Sequence, residues 1–359
     1  MNRRTFLNFF GWVALTASIL GAQAATLTEV FHDNNFQITG VTVSKTGRLF
    51  VNYPRWSDRY VNAVVEVMKD GSTKPFPNQD WNVWDLKPQS ASQHFVCVQS
   101  VVVDDNDHLW VVDAAAPLLA SDVPNGPKLV EIDLKSNVVK RTIPFGPEIA
   151  KPDSYMNDVR VDTKRNTAYL TDSGHPGLVV VDLNSGQAHR ALDGHPSVKL
   201  EEGTQIIING KPVIGPTGKP PSFNSDGIAL SPDGEYLYYK AVTAVTLYRV
   251  KTQALRDSPN NAGSAVETVM KTFPTDGLWM DKKGGLYLSN LDENAVTRLT
   301  PDRKLETVVK DNRLQWPDTF SEGPDGSIYI TASHIHESPT YNKGFSTRKL
   351  PYTVFKINP

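Results

Sequence analysis

Six polar side chains recur at one point of a repeated phrase: Thr39, Gln99, Asn157, Asp226, Asp276 and Asp318. The copies read TGVTVSKTGRLFV from Thr39, QSVVVDDNDHLWV from Gln99 and NDVRVDTKRNTAYL from Asn157. They continue with DGIALSPDGEYLYY from Asp226, DGLWMDKKGGLYLS from Asp276 and DTFSEGPDGSIYIT from Asp318. Gathered into one ring, these positions would bring together three carboxylates, two carboxamides and a hydroxyl. Carboxylates held that close repel unless a cation or a proton intervenes. Hard oxygen donors of this kind suit Ca²⁺ or another divalent cation, with Asn157, Asp226 and Asp276 as the candidate ligands. Gln99 and Asp318 would then face a small-molecule ligand, and an amine would suit the acidic ring by charge. The alternative is structural: such side chains also cap strand starts, and Asp before Gly is a common turn pair.

Two further groups could do chemistry. In Asn52-Tyr-Pro-Arg-Trp56, Arg55 and Trp56 could stack on a planar ligand or pair with its carboxylate, or simply pack on each other. His334-Ile-His336 would place two imidazoles on one side of a strand, as metal ligands or as a hydrogen-bonded pair. His94, His175 and His195 stand alone in or beside loops. No Gly-x-Ser-x-Gly elbow and no nucleotide-binding glycine loop occurs, so neither a serine hydrolase nor an organic cofactor has an anchor.

The elements that must position these residues follow from the repeat. Each copy is a strand, a turn rich in Gly, Asp or Asn, and a second strand that carries an aromatic residue. Six such units predict an all-β fold, a six-bladed β-propeller with the ring of polar residues at the mouth of its central channel. Glycines such as Gly47, Gly234 and Gly326 fit turns that require positive φ. Phe50, Trp110, Tyr169, Tyr238, Tyr287 and Tyr329 are expected to pack between blades. Third strands are expected at Ala63–Val67, Lys128–Ile132, Gly177–Asp182, Thr246–Val250, Ala295–Leu299 and Tyr352–Ile357. A strand at Leu27–Phe31 is expected to join the last blade and close the ring. Pro75–Phe95, His189–Phe223 and Leu255–Val266 break the pattern, the last with room for a short helix. Such insertions decorate the surface or roof the channel.

Composition narrows the class. The 359 residues carry a net charge of −2 and 39% hydrophobic residues, with no basic tract to hold nucleic acid. Residues 1–24 read as a leader: Arg3 and Arg4, an apolar stretch from Phe9 to Leu20, then Ala22-Gln-Ala24. Arg-Arg-Thr-Phe-Leu looks like a twin-arginine signal, an ordinary secretory signal being the alternative. Export to the periplasm or the exterior is the expectation. Removing the leader leaves 35 basic against 39 acidic side chains in a single domain, 25–359, without a membrane span. Cys97 is the sole cysteine, so no internal disulfide can form, and its apolar setting predicts an inert buried thiol.

Several stretches resemble a known family. Tyr53-Pro-Arg-Trp56, Asp104-Asp-Asn-Asp-His-Leu-Trp-Val-Val-Asp113, Asp292-Glu-Asn-Ala-Val296 and Gln315-Trp-Pro-Asp318 are similar to segments of the yellow/major royal jelly protein family. That resemblance covers almost all of residues 25–359. It implies a secreted six-bladed propeller. Members of the family are tied to insect pigmentation, some are described as converting dopachrome, and others bind biogenic amines. Bacterial members carry a dopachrome-tautomerase-related label. The insect members typically hold disulfides, which this chain cannot. A wider resemblance is to gluconolactonase/senescence-marker propellers, which bind a divalent cation through a Glu, two Asn and an Asp. Asn157 and Asp276 match that set, Asp226 stands where the second Asn would be, with Asn224 close by, and Thr39 stands at the Glu position. Three functions therefore stay open: ligand binding with tautomerase-type proton transfer, metal-dependent lactone hydrolysis, and a non-enzymatic carrier or interaction platform.

Overall fold

The computed structural model describes residues 25–358, so the expected leader, residues 1–24, lies outside the described residues. Six four-stranded antiparallel sheets form the blades of a β-propeller. Their innermost strands are Gly40–Val43, Val98–Val103, Met156–Asp162, Ser225–Leu230, Leu278–Met280 and Pro317–Glu322. In blades one to five the chain runs outward strand by strand. Blade six is built differently: Pro317–Glu322, Ile328–Ala332 and Tyr352–Asn358 are followed outward by the N-terminal strand Thr26–Asp33. That strand pairs antiparallel with Tyr352–Asn358, from Thr26 opposite Asn358 to Asp33 opposite Tyr352. Closure brings blade six against blade one and buries the apolar flanks that an open arc would expose.

The turn between the first and second strand of every blade contains one residue with positive φ. These are Gly47, Asp107, Asn166, Gly234, Gly284 and Gly326. Glycine, Asn and Asp tolerate that conformation, which explains their recurrence at this point of the phrase.

Six apolar clusters fill the six interfaces between blades, and each contains the aromatic expected there. Phe50 lies between blades one and two, Trp110 between two and three, and Tyr169 between three and four. Tyr238, Tyr287 and Tyr329 occupy the remaining three. A cation covers most of these rings. Arg48 lies 5.0 Å from the centre of Phe50, Arg141 5.5 Å from Trp110 and Arg298 5.7 Å from Tyr287. The same arginines pair with Glu66, Glu131 and Asp281, so these three interfaces are sealed by stacked apolar, aromatic and charged layers.

The three departures from the blade pattern resolve into defined pieces. Pro75–Phe95 holds the short helix Gln79–Asn82 and the 3-10 segment Pro88–Gln93. Ala188–Ala191 is the fourth strand of blade three, so the insertion proper begins after it and includes the hairpin Ile207–Ile208 with Lys211–Pro212. The expected link helix starts earlier than read, spanning Thr252–Asp257, and leads into the 3-10 segment Pro259–Ala265.

Trp110 is 1% exposed, and its indole Nε1 donates to Asp104 Oδ2 at 2.8 Å. Trp110→Ala should therefore lower stability by about 3–5 kcal/mol in denaturant unfolding, from lost burial plus a cavity. A loss below about 1 kcal/mol would mean that blades two and three can close the gap.

Candidate functional site

The start of an inner strand is not regular. Register shifts interrupt the pairing with the second strand between Val98 and Ser100, Met156 and Val159, Ser225 and Ile228, and Pro317 and Phe320. Such bulges re-aim side chains. A hydroxyl on the second strand holds the irregular backbone in several blades. Thr171 Oγ1 accepts from Asp158 N–H and donates to Asp226 O in the next blade, at 3.2 and 2.6 Å. Thr331 Oγ1 accepts from Thr319 N–H and donates to Thr39 O, at 3.1 and 2.9 Å. Ser289 Oγ accepts from both Asp276 and Gly277 N–H at 3.0 Å. A Cβ on Gly227 would overlap the Asp276 carbonyl oxygen, and one on Gly277 would overlap that of Asp318. The Asp-Gly pairs are therefore not turns. Glycine lets the next blade's backbone come close, which draws the preceding aspartates together.

A cavity of about 400 Å³ opens at this end of the channel. Gln99, Asn157, Asp226, Asp276 and Asp318 form its floor, and each is at least nine-tenths buried. Trp56 stands in the wall, where its Nε1 donates to Tyr155 Oη at 2.7 Å, and Tyr155 in turn donates to Gln99 Oε1 at 2.9 Å. Asn157 Nδ2 donates to Ser173 Oγ at 3.3 Å. The upper wall is aromatic. Phe223 packs edge-on against Trp316 and Tyr341, with ring centres 6.3 and 6.4 Å away. Phe223 comes from the insertion after blade three, and Tyr341 from the 3-10 segment Pro339–Tyr341 before the last strand. Arg348 is the single basic residue among the described residues that line the cavity.

The floor is electrostatically tense. Asp276 Oδ2 accepts from Trp316 Nε1 at 2.5 Å, whereas Asp318 Oδ2 is buried without a hydrogen-bond partner. Burial, followed by repulsion from Asp276, Asp158 and Asp318, drives the Asp226 carboxyl well above the usual carboxylate range. Burial and the charges of Asp276 and Asp158 do the same to Asp318. Burial raises Asp276 to about 7 against the opposing Trp316 hydrogen bond. Asp158, deeper in the channel, is raised by burial and held back by Arg160. None of the ion pairs among the described residues includes Asp226, Asp276 or Asp318. The site can therefore hold protons on its carboxyls or accept a cationic group, and it is predisposed to proton exchange near neutral pH.

Other candidate residues lie elsewhere. Arg55 does not line the cavity; its guanidinium lies 4.9 Å from the Tyr60 ring centre and 5.5 Å from that of Trp84. Thr39 is fully buried and donates to Gln99 O at 3.2 Å, so it belongs to the inter-blade backbone network. His334 and His336 are not on a strand. His334 has φ +53 and caps the 3-10 segment Ile335–Glu337 that contains His336. His334 Nδ1 contacts Glu337 Oε2 at 2.9 Å, and His336 stacks on Trp316 with ring centres 6.0 Å apart. Burial lowers His336 to about 4, which keeps it neutral against the indole. Cys97 is buried and free, and burial pushes its thiol up to about 12, as an inert thiol requires.

Of the candidate metal ligands Asn157, Asp226 and Asp276, two are carboxyls and one is a carboxamide. Among the described residues no group of three or more His, Cys, Asp or Glu side chains is arranged to hold a metal ion. Thr39, at the position where a Glu would contribute charge, faces backbone instead.

Asp276 titrates in the folded chain near 7, against about 3.9 for an unfolded Asp. Its bound proton stabilises the fold fully below about pH 4, and that contribution is lost as pH rises through about 7. Asp276→Asn, which keeps an acceptor for Trp316, should gain melting temperature relative to the parent chain as pH rises from about 4 to about 7. A constant offset across that range would show that Asp276 does not titrate there.

Comparison with known proteins agrees with this architecture. The sequence profile of the major royal jelly protein family matches residues 96–353. Major royal jelly protein 1 of Apis mellifera is 23% identical over 275 residues, which cover 72% of this chain and 61% of that protein. Major royal jelly protein 3 of Apis mellifera is 21% identical over 352 residues, which cover 86% of this chain and 62% of that protein. The chain thus spans somewhat over three-fifths of the length of these relatives. A gluconolactonase from Xanthomonas campestris superposes with a TM-score of 0.56 at 13% identity, over 95% of this chain and 92% of that structure, and so shares the fold. With the profile running through five of the six blades and the six-bladed ring closed around them, this chain belongs to the major royal jelly protein family.

Proposed function

We propose that the channel mouth binds a small aromatic molecule bearing a cationic amine. The observation that carries this reading is the set of three carboxyls, Asp226, Asp276 and Asp318, on the floor of a cavity with aromatic rings in its wall, none of them in an ion pair among the described residues. Carboxyls held this close repel, and an ammonium group on the floor would ease the repulsion among Asp226, Asp276 and Asp318. Trp56, Phe223 and Tyr341, partly exposed in the wall, offer ring faces and edges to the rest of the ligand. The cavity volume falls within the range of small-molecule sites. If the bound molecule reacts, Asp276 is the group to move a proton on it, because a carboxyl titrating near 7 can both accept and donate at neutral pH. Export of the chain through residues 1–24 is part of the same reading.

Metal-dependent lactone hydrolysis is the second reading, supported by the shared gluconolactonase fold. Thr39, which stands at the Glu position and bonds backbone, weighs against it. No helix among the described residues is long and apolar enough to cross a membrane.

Titration calorimetry with tyramine tests the proposal. We expect binding that weakens about tenfold or more in Asp318→Asn, equivalent to about 1.4 kcal/mol or more, with an unchanged fold. The alcohol analogue, which lacks the ammonium, should bind more weakly than tyramine to the parent chain. Equal binding of amine and alcohol would sink the reading. Stoichiometric Ca²⁺ binding with a chelator-sensitive melt would move the choice to the second reading.

A further inference from the structure

We infer that the ligand also carries a carboxylate, held by Arg348, so that the site selects aromatic amino acids over the corresponding amines. This rests on the amine-binding reading above and adds a second recognition point to the same cavity.

The cavity is polar at two ends of opposite sign. Its floor is the carboxylate ring from the inner strands, and its outer wall includes one guanidinium, Arg348, on the segment that leads into the last strand. Arg348 Nη2 donates to Gln37 Oε1 at 2.7 Å, and Gln37 Nε2 donates to Ser333 O at 2.7 Å. Gln37 is thereby fixed to the backbone of blade six and holds the guanidinium against the ring of Tyr352, whose centre is 5.8 Å away. Arg348 Nε is buried and has no hydrogen-bond partner. Arg348 also takes part in none of the ion pairs among the described residues, unlike Arg48, Arg141, Arg249 and Arg298 around the blade interfaces. An immobilised guanidinium that lines the cavity without a carboxylate partner can take one there, and a carboxylate is the acceptor its fork fits best.

The charge on that side is reinforced. An adjoining recess of about 190 Å³ shares Gln37, Trp56, Ser57 and Arg348 with the main cavity and adds Arg59. Arg59 Nη2 donates to Asn35 Oδ1 at 2.6 Å, and it too takes no carboxylate partner. An anion at the outer wall therefore meets the Arg348 guanidinium, with Arg59 in the adjoining recess, whereas an ammonium there would be repelled and driven to the floor. Neutral aromatic solutes would use neither end.

Three matched pairs test this by calorimetry at one pH and salt concentration: phenethylamine with phenylalanine, tyramine with tyrosine, and tryptamine with tryptophan. We expect the amino acid of at least one pair to bind about tenfold tighter than its amine. Arg348→Gln should abolish that preference, and Arg348→Lys should retain part of it. Melting temperatures of both variants establish that the fold persists. If the amines bind and the amino acids bind equally or more weakly, the carboxylate site falls and the amine reading stands. If no member of any pair binds, both fall. A tenfold preference that survives in Arg348→Gln would assign the carboxylate to another residue and overturn the role given to Arg348.

Discussion

The close approach of neighbouring inner strands at the channel is the constraint on which the site depends. Six radial sheets converge, so their innermost backbones must pass within contact of one another. Gly227 and Gly277 allow that approach because any Cβ there would strike a carbonyl of the next blade. Thr171 and Thr331 then bond one blade's bulge to the next blade's carbonyl. The acidic cluster is a product of this geometry. Strand pairing and side-chain hydroxyls, which are individually modest, hold together carboxyls that would separate if free to do so.

Floor and roof have different origins. The floor comes from a repeated unit, and its residues hold one position in each blade. The roof comes from unique segments: Phe223 from the insertion after blade three, and Tyr341 and Arg348 from the stretch between the second and third strands of blade six. A propeller of this kind can change its ligand by altering those segments without disturbing the packing that sets the floor. Shared fold with a gluconolactonase is consistent with that division, since fold alone does not determine chemistry.

The ring architecture was legible because each blade repeats one strand-turn-strand phrase with a fixed aromatic. The positions of Asn157, Asp226, Asp276, Asp318 and Gln99 around one mouth were legible for the same reason. Asp158 was overlooked next to Asn157, because strict alternation would turn one of two adjacent residues away, and the bulge before Val159 removes that rule. The Thr or Ser near the end of the second strand, Thr171, Ser289 and Thr331, was the available signal for those bulges. Arg55 and Trp56 are neighbours in sequence, but Arg55 turns to Tyr60 and Trp84 while Trp56 turns to Tyr155. His334 and His336 read as a strand because Ile328–Ala332 precedes them, yet the positive φ at His334 ends the sheet there. The roof contacts of Phe223, Tyr341 and Arg348 join segments far apart in sequence, which no local pattern records.

Ring closure has a consequence for the order of assembly. Thr26–Asp33 is made before the other strands of the ring but has its sheet partner only in Tyr352–Asn358, which follows all of them. While a ribosome is still adding the final strand, the early segment has no edge to join and the growing arc keeps two open flanks. The acidic mouth shares that delay, since Thr331 reaches Thr39 only when blade six meets blade one. Synthesis of the inner strands of all six blades therefore precedes the moment at which the cavity exists, and a chain cut short before residue 352 would carry all five floor residues without a closed ring to assemble them.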